Sequence, residues 1–122
     1  MLYANWTKFE IMQVLVVHSG NYPNPNENLS IYKAYIHDQM ESLRRYQNIS
    51  FGRYAIVGKG VLGYLLNVRN LRSIIRSGKF ELVHAHYSLS GIICILASPI
   101  PVVITYHGSD INNAKIFLYS KL

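Results

Sequence analysis

Two short segments carry the residues best suited to chemistry. One is Val83-His84-Ala85-His86-Tyr87; the other, about twenty residues further on, is Thr105-Tyr106-His107-Gly108-Ser109-Asp110, which follows the apolar run Val102-Val103-Ile104. Each places histidine where a buried strand gives way to a loop. In an open α/β sheet, ligands bind at the carboxyl ends of the strands. Two strand ends bearing His, Gly, Ser and Asp therefore read as walls of one site. His84 and His86 are two apart, so on a strand they share a face. They could be metal ligands completed by His107, or a core histidine and a strand-end histidine, each hydrogen-bonded. A metal site calls for a carboxylate or thiolate nearby, and Asp110 is the only carboxylate after Glu81. The expectation is that no metal is held.

His107-Gly108-Ser109-Asp110 is better read as a polar rim. Gly108 lets backbone approach a ligand or adopt positive φ. His107 can donate or accept a hydrogen bond near neutral pH. Asp110 can bind hydroxyl groups, cap the following helix, or both. A hydrolase triad does not fit: there is no Gly-x-Ser-x-Gly elbow. Ser19-Gly20 resembles half of a phosphate loop, but Gly-x-Gly-x-x-Gly is absent.

These segments need a scaffold, and the hydrophobic pattern supplies one. Ile11 to Val17 is a β-branched-rich run that reads as a strand buried on both faces, ended by His18-Ser19-Gly20. Asn21 to Asn28, rich in Asn and Pro, is a loop. Ile31 to Tyr46 is an amphipathic helix with Tyr32, Tyr35, Ile36, Met40, Leu43 and Tyr46 on one half and Ser30 as N-cap. Further elements follow: a strand over Ile49 to Val57, a helix over Leu62 to Arg76 ended by Ser77-Gly78, and a strand over Phe80 to His86. A very apolar helix over Leu89 to Ala97, a strand over Pro101 to Thr105 and a helix from Asn112 to Lys121 complete the pattern. Alternating strands and helices with short connections predict an α/β fold: a Rossmann-like parallel sheet with right-handed crossovers and helices on both faces.

With 122 residues, the chain is one domain or part of one. Half the residues are hydrophobic and 15% are charged, which excludes a disordered chain. The single cysteine, Cys94, excludes an internal disulfide framework and suits a reducing compartment. No secretory signal or membrane-spanning run is visible, so a cytoplasmic location is expected. The three Asn-x-Ser/Thr sequons, at Asn5, Asn28 and Asn48, then have no role. The net charge of +6 favours anionic partners. Arg69, Arg72 and Arg76 fall within about 60° of helical arc beside Tyr64, Val68, Leu71 and Ile75. They are either the solvated side of a packed helix or a stripe that rests on an anionic membrane. No helix-turn-helix or RNA-binding aromatic motif is present, so nucleic acid is not expected as a partner.

Taken together, these segments resemble the N-terminal half of family-4 glycosyltransferases of the two-domain GT-B fold. The resemblance covers about Gln13 to Asn113. It rests mainly on Val-His-Ala-His-Tyr before the Ser90-Gly91 helix and on Thr-Tyr-His-Gly-Ser-Asp after a Pro-Val-Val-Ile strand. The buried first strand with its Gly turn, and Asp38-Gln39 ahead of Met40 to Leu43, agree. The resemblance implies transfer of a sugar from a nucleotide-sugar donor to a glycan or lipid-linked acceptor with retention of configuration, without cofactor or metal. It implies that His107 contacts the transferred sugar and that Gly20 faces the donor diphosphate. It also implies that His86, Gly108, Ser109 and Asp110 line the acceptor side. Where the family has a Gly-Gly pair, this chain has Gly20-Asn21.

The chain stops abruptly after Leu122, and Met12 could itself be a start with Met1 to Ile11 an upstream extension. The chain therefore reads as the acceptor-side domain without its nucleotide-sugar domain, inactive alone and prone to self-associate through an exposed cleft. Many family members act at the inner membrane face, which makes Arg69, Arg72 and Arg76 candidate membrane contacts. The competing reading is a stand-alone flavodoxin-like binding domain without catalysis.

Overall fold

A computed structural model describes residues 11–20 and 34–106. The elements run β1 (Met12–Ser19), α1 (Ala34–Tyr46), β2 (Ile49–Ile56), α2 (Gly60–Leu65), α3 (Val68–Ser77), β3 (Leu82–His86), α4 (Ser88–Ala97) and β4 (Val102–Thr105). All pairings are parallel and the sheet order is β2-β1-β3-β4. This is the Rossmann-like α/β architecture that the alternation predicts. The chain first steps from β1 outward to β2, then crosses back over β1 to β3 and continues to β4. Right-handed crossovers allow that reversal only if the connecting helices change face.

The helices change face accordingly. Val14, Val16 and Ile36 are buried together, with Met40, Ile49, Phe51 and Leu82 packed around them, so α1 covers one face. Leu15, Val17, Val83 and Ala85 are buried on the opposite face with Leu71 and Ile75 of α3 and Ile93, Cys94 and Ala97 of α4. β1 sits between two neighbours and under helices on both sides, which is why its sequence is a continuous apolar run rather than an alternation. Gly91 lets α4 lie close on β4. A Cβ there would come within 2.6 Å of Ile104 Cδ1 and 3.0 Å of its Cγ2.

Two expectations change. The helix over Leu62 to Arg76 is two helices, α2 and α3, broken at Leu66–Asn67. The Asn67 carboxamide explains the break: it donates to the carbonyls of Val57 (3.1 Å) and Gly63 (3.0 Å) and accepts from Tyr54 Oη (2.8 Å). A side chain that engages its own and neighbouring backbone this way competes with helix continuation. α3 does end at Ser77-Gly78, with Gly78 in extended backbone (φ −81°, ψ 161°). What it provides is room, since a Cβ would lie 2.4 Å from the Phe80 ring. Finally, Tyr35 and Tyr46, on the apolar half of α1, are exposed. The buried stripe of that helix is narrower than its sequence pattern, and Ile36 alone is fully covered. The helix expected over Asn112 to Lys121, and the Ser30 cap, lie outside the described residues.

Candidate functional site

In a doubly wound sheet the ligand crevice lies outside the carboxyl ends, where strand order reverses. Here that point falls between β1 and β3. Paired residues on parallel strands point to the same side. The register Val17↔Ala85, carried one residue on, sets His18 level with His86; His18 also pairs with Ala55, and His86 with Thr105. Ala55, His18, His86 and Thr105 therefore form a row across the carboxyl edge on the α1 face. One step inward lie Val16, His84 and Val103.

The two edge histidines are almost fully buried, His18 at 1% exposure and His86 at 3%. A buried imidazole needs hydrogen-bonding partners, and these define its orientation. His18 Nδ1 donates to the Ser19 carbonyl at 2.9 Å, which puts a proton on Nδ1. His84 Nε2 is hydrogen-bonded to Thr105 Oγ1 at 2.7 Å. The His84 and His86 rings lie 4.4 Å apart between centroids, and Tyr35 of α1 meets His86 edge-on at 6.3 Å. His86 is thus held from both sides, by a ring fixed to β4 and by a ring from α1.

The backbone beside His86 is strained. Tyr87 has φ 86° and ψ 145°, the one positive-φ residue other than glycine among those described. A bulky side chain there costs about 1–3 kcal/mol, and such strain concentrates at functional sites. The conformation is over-determined: the Tyr87 N–H donates to the Thr105 carbonyl at 3.0 Å, and its carbonyl accepts the first turn of α4 from Gly91 at 3.0 Å. The sharp turn brings the N-terminus of α4, with its outward N–H groups and partial positive charge, to the same edge. Ser90, in that first turn, is fully buried, and its hydroxyl has no hydrogen-bond partner among the described residues.

The expected site residues are only partly brought together. His84 and His86 do share a face. No group of three His, Cys, Asp or Glu able to hold a metal occurs among the described residues. Gly20 lies at the same edge, buried, with its N–H donating to the Ile56 carbonyl at 2.7 Å. That N–H is therefore engaged, and the contribution of Gly20 is its missing side chain: a Cβ would lie 2.7 Å from Ala55 Cβ. His107, Gly108, Ser109 and Asp110 lie outside the described residues. Arg69, Arg72 and Arg76 line a separate groove on α3. No helix among the described residues is long and apolar enough to cross a membrane.

The structure adds His18, Tyr35 and Thr105 to the edge row and its surroundings. For His18 a signal existed: a buried strand ending in His, then a small residue, is the pattern also seen at His86. The roles of Tyr35 and Thr105 depend on which helix and strand lie next to β3, which spacing along the chain does not reveal.

A family model described as Glycosyltransferase Family 4 matches residues 13–121. No curated protein and no solved structure matches the chain significantly. The match spans β1 through β4 and takes in both histidine segments, and the parallel Rossmann-like sheet agrees with it. The chain belongs to glycosyltransferase family 4.

Proposed function

We propose that this chain forms the acceptor-side wall of a sugar-transfer site. In this reading a sugar moves from a nucleotide-sugar donor to a glycan or lipid-linked acceptor with retention of configuration. The observation that carries the reading is the His18–His86 row at the strand-order reversal of a family-4 domain. His86, held by His84 and Tyr35, is suited to hydrogen-bond an acceptor hydroxyl. The opening of α4 favours developing negative charge nearby. Gly20, packed closely against Ala55, would face the donor diphosphate. His107 would contact the transferred sugar, with Gly108, Ser109 and Asp110 on the acceptor side. No step requires a metal or cofactor.

The test is NMR of the histidine rings while candidate acceptor saccharides, polyprenyl-phosphate sugars and nucleotide sugars are titrated in turn. An acceptor should shift His18 and His86 and leave α3 unmoved, and His86→Ala should abolish the shift. Acceptor shifts confined to residues away from the β1/β3 edge would overturn the assignment.

A further inference from the structure

α3 carries Arg69, Arg72 and Arg76 at positions i, i+3 and i+7, all exposed. With Ser73 and Ser77 they line an open groove of about 530 Å³. The lining contains no carboxylate, and the one ion pair among the described residues is Glu41–Arg44 on α1. Like charges one helical turn apart repel one another, and an external anion relieves that repulsion. The chain does not carry the complement itself. α1 is the one described helix with acidic residues, Asp38 and Glu41, and it also bears Arg44 and Arg45. Two copies meeting arginine to arginine are opposed further by the net charge of +6.

Three features indicate what kind of anion fits. The charges are spread along the helix over about 10 Å, given the rise per residue, rather than gathered at one point. A single small anion answers one of them, whereas a helix with carboxylates at the same spacing answers all three. Arg72 is held in advance: its Nη2 donates to the Leu96 carbonyl at the end of α4, at 2.9 Å. Its remaining N–H groups keep the fork geometry that suits a carboxylate, with less side-chain freedom left to lose on binding. Beside Arg72 the surface is apolar: Ile95 is 60% exposed and Leu96 50%, while Leu66, just before α3, is 76% exposed. Aliphatic side chains alongside a charged stripe are what a helix with one acidic and one apolar side requires. A nucleic acid would answer the arginines and leave Ile95 and Leu96 in water.

We infer that α3 docks an acidic amphipathic helix of a partner protein, with carboxylates over Arg69, Arg72 and Arg76 and aliphatic side chains over Ile95, Leu96 and Leu66. Ser73 and Ser77, one turn apart and short, let the partner's backbone come close to α3. The strip lies on the outer side of the α3/α4 layer, apart from the His18–His86 row, and its role is separate from sugar transfer.

The test is fluorescence anisotropy with the full chain titrated into a labelled peptide of about 20 residues, long enough to be helical, whose glutamates recur at i, i+3 and i+7 beside a leucine stripe. Binding should saturate at one peptide per chain and weaken as salt is raised. Arg69→Gln with Arg76→Gln leaves the Arg72–Leu96 bond intact and should raise Kd about ten-fold, as expected for two partly screened ion pairs. Leu96→Ser should raise Kd about five-fold, by an amount that salt leaves unchanged because the contact it removes is apolar. The same peptide with glutamine for every glutamate should not bind. Equal binding of the glutamine peptide, or an unchanged Kd in the double arginine variant, would overturn the proposal. So would failure of the acidic peptide to bind, and sedimentation of that same chain with phosphatidylglycerol vesicles would then reassign the strip to a lipid surface.

Discussion

Gly58 closes the turn between β2 and α2, at the edge that also carries Gly20, and replacing it by alanine probes how firmly that edge is held. Its φ of 152° is one that L side chains rarely adopt. A Cβ there would lie 2.5 Å from the Gly63 carbonyl oxygen, 2.6 Å from its carbonyl carbon and 2.9 Å from its Cα. All three atoms are backbone, so no rotamer change relieves the contact. Reaching 3.4 Å, where ordinary contact begins, requires the turn to open by about 0.9 Å (3.4 − 2.5). The Asn67 carboxamide spans that gap, bound to Val57 O at 3.1 Å and Gly63 O at 3.0 Å. Opening by this amount takes at least one of those bonds beyond hydrogen-bonding distance. Backbone strain of about 1–3 kcal/mol and about 1 kcal/mol for the bond give a loss of about 2–4 kcal/mol. In a domain of this length that lowers Tm by roughly 8–15 °C. Urea denaturation of Gly58→Ala, Asn67→Ala and the double variant measures both terms. If the clash acts by prising the turn away from Asn67, the second change costs about 1 kcal/mol less in the presence of the first. A Gly58→Ala loss below about 0.5 kcal/mol, or a strictly additive cycle, would refute this account of the turn.

Thr105→Val keeps the β-branched shape of β4 and removes the hydroxyl that meets His84 at 2.7 Å. It should cost about 1–2 kcal/mol and shift the His84 ring nitrogen resonances, while Thr105→Ser retains most of both; unchanged ring resonances in the valine variant would show that the bond is not formed in solution. Burial pushes the Cys94 thiol from 9.0 up to about 12. Between those values the folded chain keeps a proton that the unfolded chain releases. The stability from this group is thus complete below about pH 9 and declines by about 1.4 kcal/mol per pH unit as pH rises towards 12. Cys94→Ala should lose that component of the alkaline slope, and a variant with the same slope as the parent would contradict it.

Much of the fold was legible in the sequence because parallel α/β units announce themselves locally. A strand buried on both faces must be apolar throughout, as Val14 to Val17 are. A helix over one face must show a stripe, as Ile36 and Met40 do. Alternation then forces right-handed crossovers. That His84 and His86 share a face was legible too, since residues two apart on a strand point to the same side. The α2/α3 break was not, because it depends on Asn67 reaching carbonyls ten and four residues earlier. Those contacts exist only once β2 has delivered the turn.

What the sequence determined by itself is periodicity and punctuation: which stretches form strands and helices, and where their polar ends fall. What only the tertiary structure decided is adjacency. That β1 lies beside β3 rather than at an edge is a fact of strand order, and it alone sets His18 next to His86 at the reversal point. The same holds for Tyr35 against His86, Thr105 against His84, and Arg72 against the end of α4. Each joins elements whose separation along the chain carries no trace of their contact, because the interactions that select it act through space.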